Sequence, residues 1–396
     1  MNRRILALLL ALVMVAGLMT GCASGKQETA APETAQTESP AAEETTAEPE
    51  QTEEVPAEEE APAEPETVSF TDSLGRTVEL PADITRIAPS GAVATMILAA
   101  IAPECMVTIN AAPSESQMAF LPANLAALPE TGQMYGSKAD LNLETLLAAD
   151  PQVVIDLGDK KGDMTEDLDA LQEQIGIPVV FIEADLAHMA AAFRTLGGLL
   201  SGKSDRGEEL AALVDRTTAI AEENAAKITD DMRVRAMYTT GEDGLGTNAA
   251  GSMQAQVLDM VGVENAVVVE DVSNKGGGNI ISLEQLYNFD PDVILFADGS
   301  IYDTVADDSA WSQLTAISTG RYYEVPGSPY SWLSGPPSMN MILGVWWLGN
   351  LIYPEIYDYD METMTQELYK TLWGYELSSE EVTALLGNST LKAAAQ

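Results

Sequence analysis

The chain has 396 residues and a formal net charge of −43, from 62 Asp and Glu against 19 Lys and Arg. A chain this acidic lacks the basic footprint of a nucleic-acid binder and is repelled by anionic lipid. Apolar residues make up 46% of it, too many for a chain without a core, and two Cys with one His leave little for zinc hydrolysis or a Ser-His-Asp mechanism.

The charge is unevenly spread. Residues 28–66 hold 14 acids and no base, and residues 1–27 hold three bases and no acid; the remaining 330 residues carry 48 acids and 16 bases, a net −32. A body of that size exceeds one growing core and predicts two lobes.

Taken in chain order, Asn2, Arg3 and Arg4 precede an apolar run from Ile5 to Met19 that closes on Thr20-Gly21-Cys22. The run is shorter than the roughly 20 residues of a bilayer span. It predicts a lipoprotein signal over residues 1–21, with the Cys22 thiol acylated and holding the protein to the cell membrane from outside the cytoplasm. Residues 22–66, dominated by Ala, Glu, Pro and Thr, predict a disordered acidic stalk. Cys105, in an apolar stretch, then has no partner and is expected as a buried thiol.

Val68 to Leu80 alternates around Leu74-Gly75-Arg76 and predicts a hairpin. A strand at Arg86–Pro89, an apolar helix near Ala92–Ala102, a strand at Met106–Ile109, a helix at Asn142–Ala149 and a strand at Gln152–Leu157 follow. Next come a helix at Leu168–Gln174 and a strand at Pro178–Ile182, an α/β alternation. His188 near a helix start reads as a surface residue. Ser204–Asp231 has no Pro and predicts one helix of about 40 Å. Beyond it lie strands at Val234–Thr239, Asp292–Ala297 and Arg321–Val325. Helices are expected at Gly251–Met260, Ser282–Phe289, Trp311–Ala316 and Leu343–Tyr353. Domains are therefore expected at 67–201 and 232–385, with an inter-lobe helix at 202–231 and a tail at 386–396.

One segment recurs. Asn142-Leu143-Glu144 through Asp150-Pro151 to Ile155 aligns with Ser282-Leu283-Glu284 through Asp290-Pro291 to Leu295, at a constant offset of 140 residues. Both read cap, Leu-Glu, helix, Asp-Pro, strand. Glu144 and Glu284 suit the positive end of their helices.

These segments, with Asp72-Ser73-Leu74-Gly75-Arg76, Arg86-Ile87, Gly176-Ile177-Pro178-Val179, Leu196-Gly197-Gly198-Leu199-Leu200, Gly320-Arg321-Tyr322-Tyr323-Glu324-Val325-Pro326 and Pro354-Glu355, carry a resemblance over residues 68–375. The chain resembles the substrate-binding lipoproteins of ABC importers, in the iron-siderophore, haem and cobalamin family of periplasmic binding proteins. The resemblance implies a class III fold, two Rossmann-like α/β lobes joined by one long rigid helix. It implies a ligand held between the lobes and a Glu on each lobe, here Glu144 and Glu284, meeting arginines of the permease. No enzyme activity, cofactor or resident metal is expected, and a monomer is expected.

Ligand contacts should come from loops after the strands: Ser90, Asn110, Tyr135, Gly158 and Lys160 from lobe one, and Lys275, Asn279, Tyr330 and Trp332 from lobe two. Tyr135, Tyr330 and Trp332 would cover an apolar or conjugated face. Few basic residues reach these loops, which departs from an arginine-rich siderophore pocket. A ferric siderophore or haem-like chelate is the first expectation; cobalamin and a molybdate-like oxyanion stay open, the last held by backbone N–H groups.

Overall fold

The computed structural model describes residues 66–390 except 136–138, 163 and 275. The signal, the stalk, Cys22, Lys275 and the last six residues lie outside it. Lobe one comprises β1 (Thr67–Thr71), β2 (Thr77–Pro81), β3 (Ile87–Pro89), α1 (Ala92–Ile101), α2 (Glu115–Met118), α3 (Leu143–Ala148), β4 (Val153–Gly158), α4 (Met164–Ile175), β5 (Val179–Glu183) and α5 (Met189–Leu199). Helix α6 (Ser204–Ala225) leads out of it. Lobe two comprises β6 (Arg235–Thr240), β7 (Gly246–Thr247), α7 (Gln256–Met260), β8 (Glu264–Asn265), β9 (Asn279–Ile280), α8 (Leu283–Phe289), β10 (Val293–Phe296), α9 (Thr315–Ser318), β11 (Tyr322–Glu324), α10 (Met341–Ile352), α11 (Met361–Trp373) and α12 (Ser379–Leu385).

β1 and β2 form the predicted antiparallel hairpin, its turn held by the Asp72 carboxylate accepting from the N–H groups of Leu74 and Arg76 at 3.0 Å each. The parallel sheets are β3-β4-β5 in lobe one and β11-β10-β6 in lobe two. Lobe two adds β8 parallel to β6, and the short antiparallel β7 and β9 at its end. The expected strand at Met106–Ile109 is reduced to isolated bridges from Met106 to Ile87 and from Ile109 to Glu130. Helices α11 and α12 had no counterpart in the sequence reading.

Both sheets are sandwiched in the same way. Successive strand side chains point to opposite faces. Val153, Ile155 and Leu157 of β4 join one large core, and so do Ala236 and Tyr238 of β6 with Val293 and Leu295 of β10. The alternate residues face two smaller cores, Val154 and Phe181 in lobe one, Met237, Ile294 and Phe296 in lobe two. The large core is continuous, passing from α1 through Leu210, Val214 and Ala221 of α6 to Trp346 and Leu368.

The 140-residue repeat is real in three dimensions. Asn142 caps α3 by accepting from Thr145 N–H, and Ser282 caps α8 by accepting from Gln285 N–H. Each helix then ends at an Asp in the left-handed region, Asp150 (φ 50°) and Asp290 (φ 33°), the only positive-φ residues besides glycine among those described. An arginine at the head of the neighbouring strand covers each helix end. Arg86 donates to the carbonyls of Ala149 and Asp150, and Arg235 to those of Phe289 and Asp290. The strand that follows reciprocates: Gln152 accepts from Arg86 N–H at 2.9 Å, and Asp292 from Arg235 N–H at 2.9 Å.

The connecting helix is shorter than expected, 22 residues or about 33 Å. It unwinds where Lys227 and Ile228 bond back to Asn224 and Ala225 at 3.0 and 3.1 Å. Ile228 then tucks against Gly262, where any Cβ would lie 2.6 Å from its Cδ1. The helix is buttressed: Trp346 donates its indole N–H to Thr217 Oγ1 at 2.9 Å, and Tyr357 donates to the Ala221 carbonyl at 3.3 Å.

Helices α5 and α6 cross at Gly197 and Gly207. A Cβ on Gly207 would stand 2.6 Å from the Phe193 carbonyl and 2.8 Å from Gly197 Cα, whereas one on Gly198 meets nothing within 4 Å. Gly→Ala within a helix ordinarily stabilises by up to about 1 kcal/mol. Gly198→Ala should do so, while Gly207→Ala should cost about 1–3 kcal/mol through backbone overlap, a contrast that urea unfolding measures directly.

Candidate functional site

Parallel α/β sheets bind ligands outside the carboxyl ends of their strands. At that edge of lobe one, Ser90 follows β3. Its N–H donates to the Ile155 carbonyl at 3.1 Å, and its own carbonyl accepts from Met134 N–H at 2.8 Å. This ties β3 to the segment carrying Tyr135. The Ser90 hydroxyl is buried and donates to Asp156 Oδ1 on β4. Asp156 is 5% exposed, and its Oδ2 has no hydrogen-bond partner among the described residues. Burial pushes its carboxyl up to about 6, only partly offset by the Ser90 hydrogen bond and the Lys161 ammonium.

Tyr135 leans over this pair. Its ring packs against the smaller lobe-one core, the Lys161 ammonium lies 5.8 Å from its centroid, and its hydroxyl is buried without a described partner. Burial, and then the Asp156 charge, raise its phenol well above the usual range. Gly158 ends β4 at φ 138°; a Cβ would have room there, so the backbone angle is what calls for glycine. Asn110 is half-buried and Lys160 exposed. Beyond β4 and β5 the carboxylates of Asp159, Glu183 and Asp185 converge. Burial first, then repulsion from Asp185, raises the Asp159 carboxyl. His188 sits at the start of α5, half-exposed as expected, its Nδ1 2.7 Å from Asp185 Oδ1.

At the matching edge of lobe two, Thr240 donates to the Gly277 carbonyl at 3.3 Å, and Ser300 to the Gly241 carbonyl at 2.8 Å. Tyr330 is half-buried against the large core, and burial pushes its phenol up to about 12. Asn279 is half-buried, with both ends of its amide spent on its own loop: Oδ1 accepts from Ser273 N–H at 3.0 Å, and Nδ2 donates to the Asp271 carbonyl at 2.7 Å.

Trp332 corrects the expectation. It has no exposed surface and lies edge-on to Trp347 and tilted against Tyr369, with centroids 6.5 and 6.4 Å away. Gly344 of α10 lets its backbone approach, since a Cβ there would stand 2.1 Å from the Trp332 carbonyl oxygen. Its indole is core, because α10 offers more apolar contact than an open edge would.

Two groups of side chains escaped the sequence reading. Asp156 had a signal, a single acid inside the apolar run Val153-Val154-Ile155-Asp156-Leu157. Thr239, Asn248, Ser252 and Gln254 in lobe two are buried and keep side-chain oxygen or nitrogen atoms without partners among the described residues. Glu144 and Glu284 are both exposed in the first turns of α3 and α8.

A family model described as periplasmic binding protein matches residues 98–329. The chain belongs to the periplasmic binding protein family. Among solved structures it is similar to an ABC transporter solute-binding protein from Sulfurospirillum deleyianum, at 28% identity and a TM-score of 0.74, covering 81% of this chain and 99% of that one. A periplasmic solute-binding protein from Veillonella parvula matches at 24% identity and a TM-score of 0.69, over 82% and 98%. The molybdate periplasmic binding protein of a Haemophilus influenzae ABC transporter matches at 20% identity and a TM-score of 0.63, over 78% and 99%. No curated protein matches. The binding protein has the class III fold, with two α/β lobes and one helix between them. Its family is extracytoplasmic and delivers small molecules to ABC transporter permeases, as transport proteins rather than enzymes. No described helix is long and apolar enough to cross a membrane.

The Asp156 carboxyl generates a test. Its folded-state pKa, about 6, lies above the ordinary 3.8. The folded protein therefore holds the proton more tightly, and stability is lost as pH rises through about 6. Asp156→Asn keeps an acceptor for Ser90 and cannot ionise. It should match the wild type near pH 4 and be more stable at pH 7.5 by on the order of 2–3 kcal/mol, as denaturant unfolding at the two pH values would register.

Proposed function

We propose that the protein captures an iron complex, a siderophore or haem-like chelate, between its two lobes and delivers it to an ABC importer permease that it meets through Glu144 and Glu284. The observation that carries the delivery reading is the repeat. Two helices, each with a side-chain N-cap, the same Leu-Glu start and the same arginine-covered end, expose one carboxylate each at equivalent places. A rigid body with paired charges sets a docking register and speeds encounter with a basic partner. Acylated Cys22 and the acidic stalk would keep that body near its permease, as a monomer.

For the ligand, Tyr135 and Tyr330 offer aromatic surface at the facing sheet edges, with Ser90, Asn110 and Gly158 beside them. Lys160, Lys161 and Lys275 supply the little positive charge available. That scarcity favours a neutral or weakly charged chelate. An oxyanion is the second reading, favoured by the unpartnered hydroxyls and amides of Thr239, Asn248 and Ser252 and by the molybdate carried by the Haemophilus influenzae relative.

Intrinsic fluorescence titration with ferric hydroxamate and catecholate siderophores, haem, cobalamin and molybdate decides between them. Saturation by an iron complex, weakened at least about tenfold in Tyr135→Ala or Tyr330→Ala, is expected; saturation by molybdate alone would overturn the iron reading. Glu144→Ala with Glu284→Ala should abolish permease-coupled uptake and leave ligand affinity unchanged. Loss of affinity instead would refute the docking role.

A further inference from the structure

The single histidine of the chain sits among acids. Glu183 ends β5, Asp185 lies two residues on, and His188 precedes α5. One oxygen from each carboxylate and a ring nitrogen of His188 all lie within 4.8 Å of one another. The Asp159 carboxyl, delivered independently from the loop after β4, is raised by the charges of both acids and lowered by the Lys161 ammonium. The ion pairs of the described residues give Glu183 and Asp159 no basic partner and Asp185 only His188, although elsewhere Arg76, Arg194 and Arg206 are each taken up by acids. Carboxylates drawn together at the ends of two neighbouring strands, with the Lys161 ammonium offsetting the repulsion on Asp159 only in part, raise the energy of the site, and a cation lowers it.

The donor set says which cation. Two carboxylates and an imidazole suit borderline divalent transition ions better than Ca²⁺ or Mg²⁺, which take oxygen alone. The imidazole is already oriented. Asp185 Oδ1 accepts the His188 backbone N–H at 2.9 Å and lies 2.7 Å from Nδ1, so carboxylate and ring already face one another and a cation taken up between them would replace the Nδ1 proton. Half-buried carboxylates beside a half-exposed ring leave an entry path.

We infer that Glu183, Asp185 and His188 form a binding site for a divalent transition-metal cation on lobe one. The site uses no residue assigned to the cargo or to docking and stands apart from both readings. It places positive charge at a sheet edge otherwise poor in basic residues.

The full-length protein, stripped with a chelator, would be titrated calorimetrically with Zn²⁺ and, separately, Ca²⁺. One saturable equivalent of Zn²⁺ is expected, with Ca²⁺ far weaker. His188→Gln and Glu183→Gln, both at accessible positions, should each weaken Zn²⁺ at least about tenfold and remove the rise in melting temperature that Zn²⁺ gives the wild type. Absence of a saturable Zn²⁺ equivalent, or binding unchanged in both variants, would overturn the site.

Discussion

The structure depends on one continuous apolar core that does not stop at the boundary between the sheets. Each sheet gives one face to it, and α6 threads it, so the two lobes are built on shared contacts rather than tied by a flexible strand. One tight constraint on it is the crossing of α5 and α6, where Gly197 and Gly207 let two backbones approach within the space a methyl group would need. Bulk there would push α6 away from α5, and with it the tryptophan and tyrosine hydrogen bonds that α10 and the segment after it make to the helix. A body packed this way moves as a unit or by small amounts, as close-packed interiors resist continuous deformation.

On that frame the two lobes repeat a local device. A capped short helix, a left-handed Asp before Pro and an arginine laid over the helix end recur with the same strand neighbours, β3 beside β4 and β6 beside β10. The arginine satisfies carbonyls that the left-handed residue turns away from the helix ladder. The loops at the sheet edges differ between the lobes. Lobe one ends in a buried Ser90–Asp156 pair under Tyr135, and lobe two in a short antiparallel extension over Asn248 and Gln254.

Much of this was legible in the sequence. The strands could be read because parallel strands buried on both faces are continuous apolar runs bounded by Pro and Gly, and Val153–Gly158 and Val293–Phe296 are such runs. The offset of 140 residues placed Glu144 and Glu284 at equivalent exposed positions before any fold was known. The end of the connecting helix was not legible. Nothing between Ala226 and Asp231 breaks a helix by propensity; the break comes from Ile228 packing on Gly262. Trp332 was misread for the same reason, since an aromatic residue in a loop carries no mark of whether α10 will cover it.

The sequence by itself determined the class of the protein: its charge asymmetry, its basic-apolar-Cys22 opening, its repeated Leu-Glu and Asp-Pro segment and its α/β alternation are all local or periodic patterns. Only the tertiary structure decided which side chains meet. Asp156 meets Ser90, 66 residues away, and burial perturbs its carboxyl, while Asn279 loses its amide to its own loop. Asp159 feels the charges of Glu183 and Asp185 only because β4 and β5 lie side by side. Such sites form where chain segments far apart in sequence converge, and the energy that brings them together comes from burying apolar surface elsewhere.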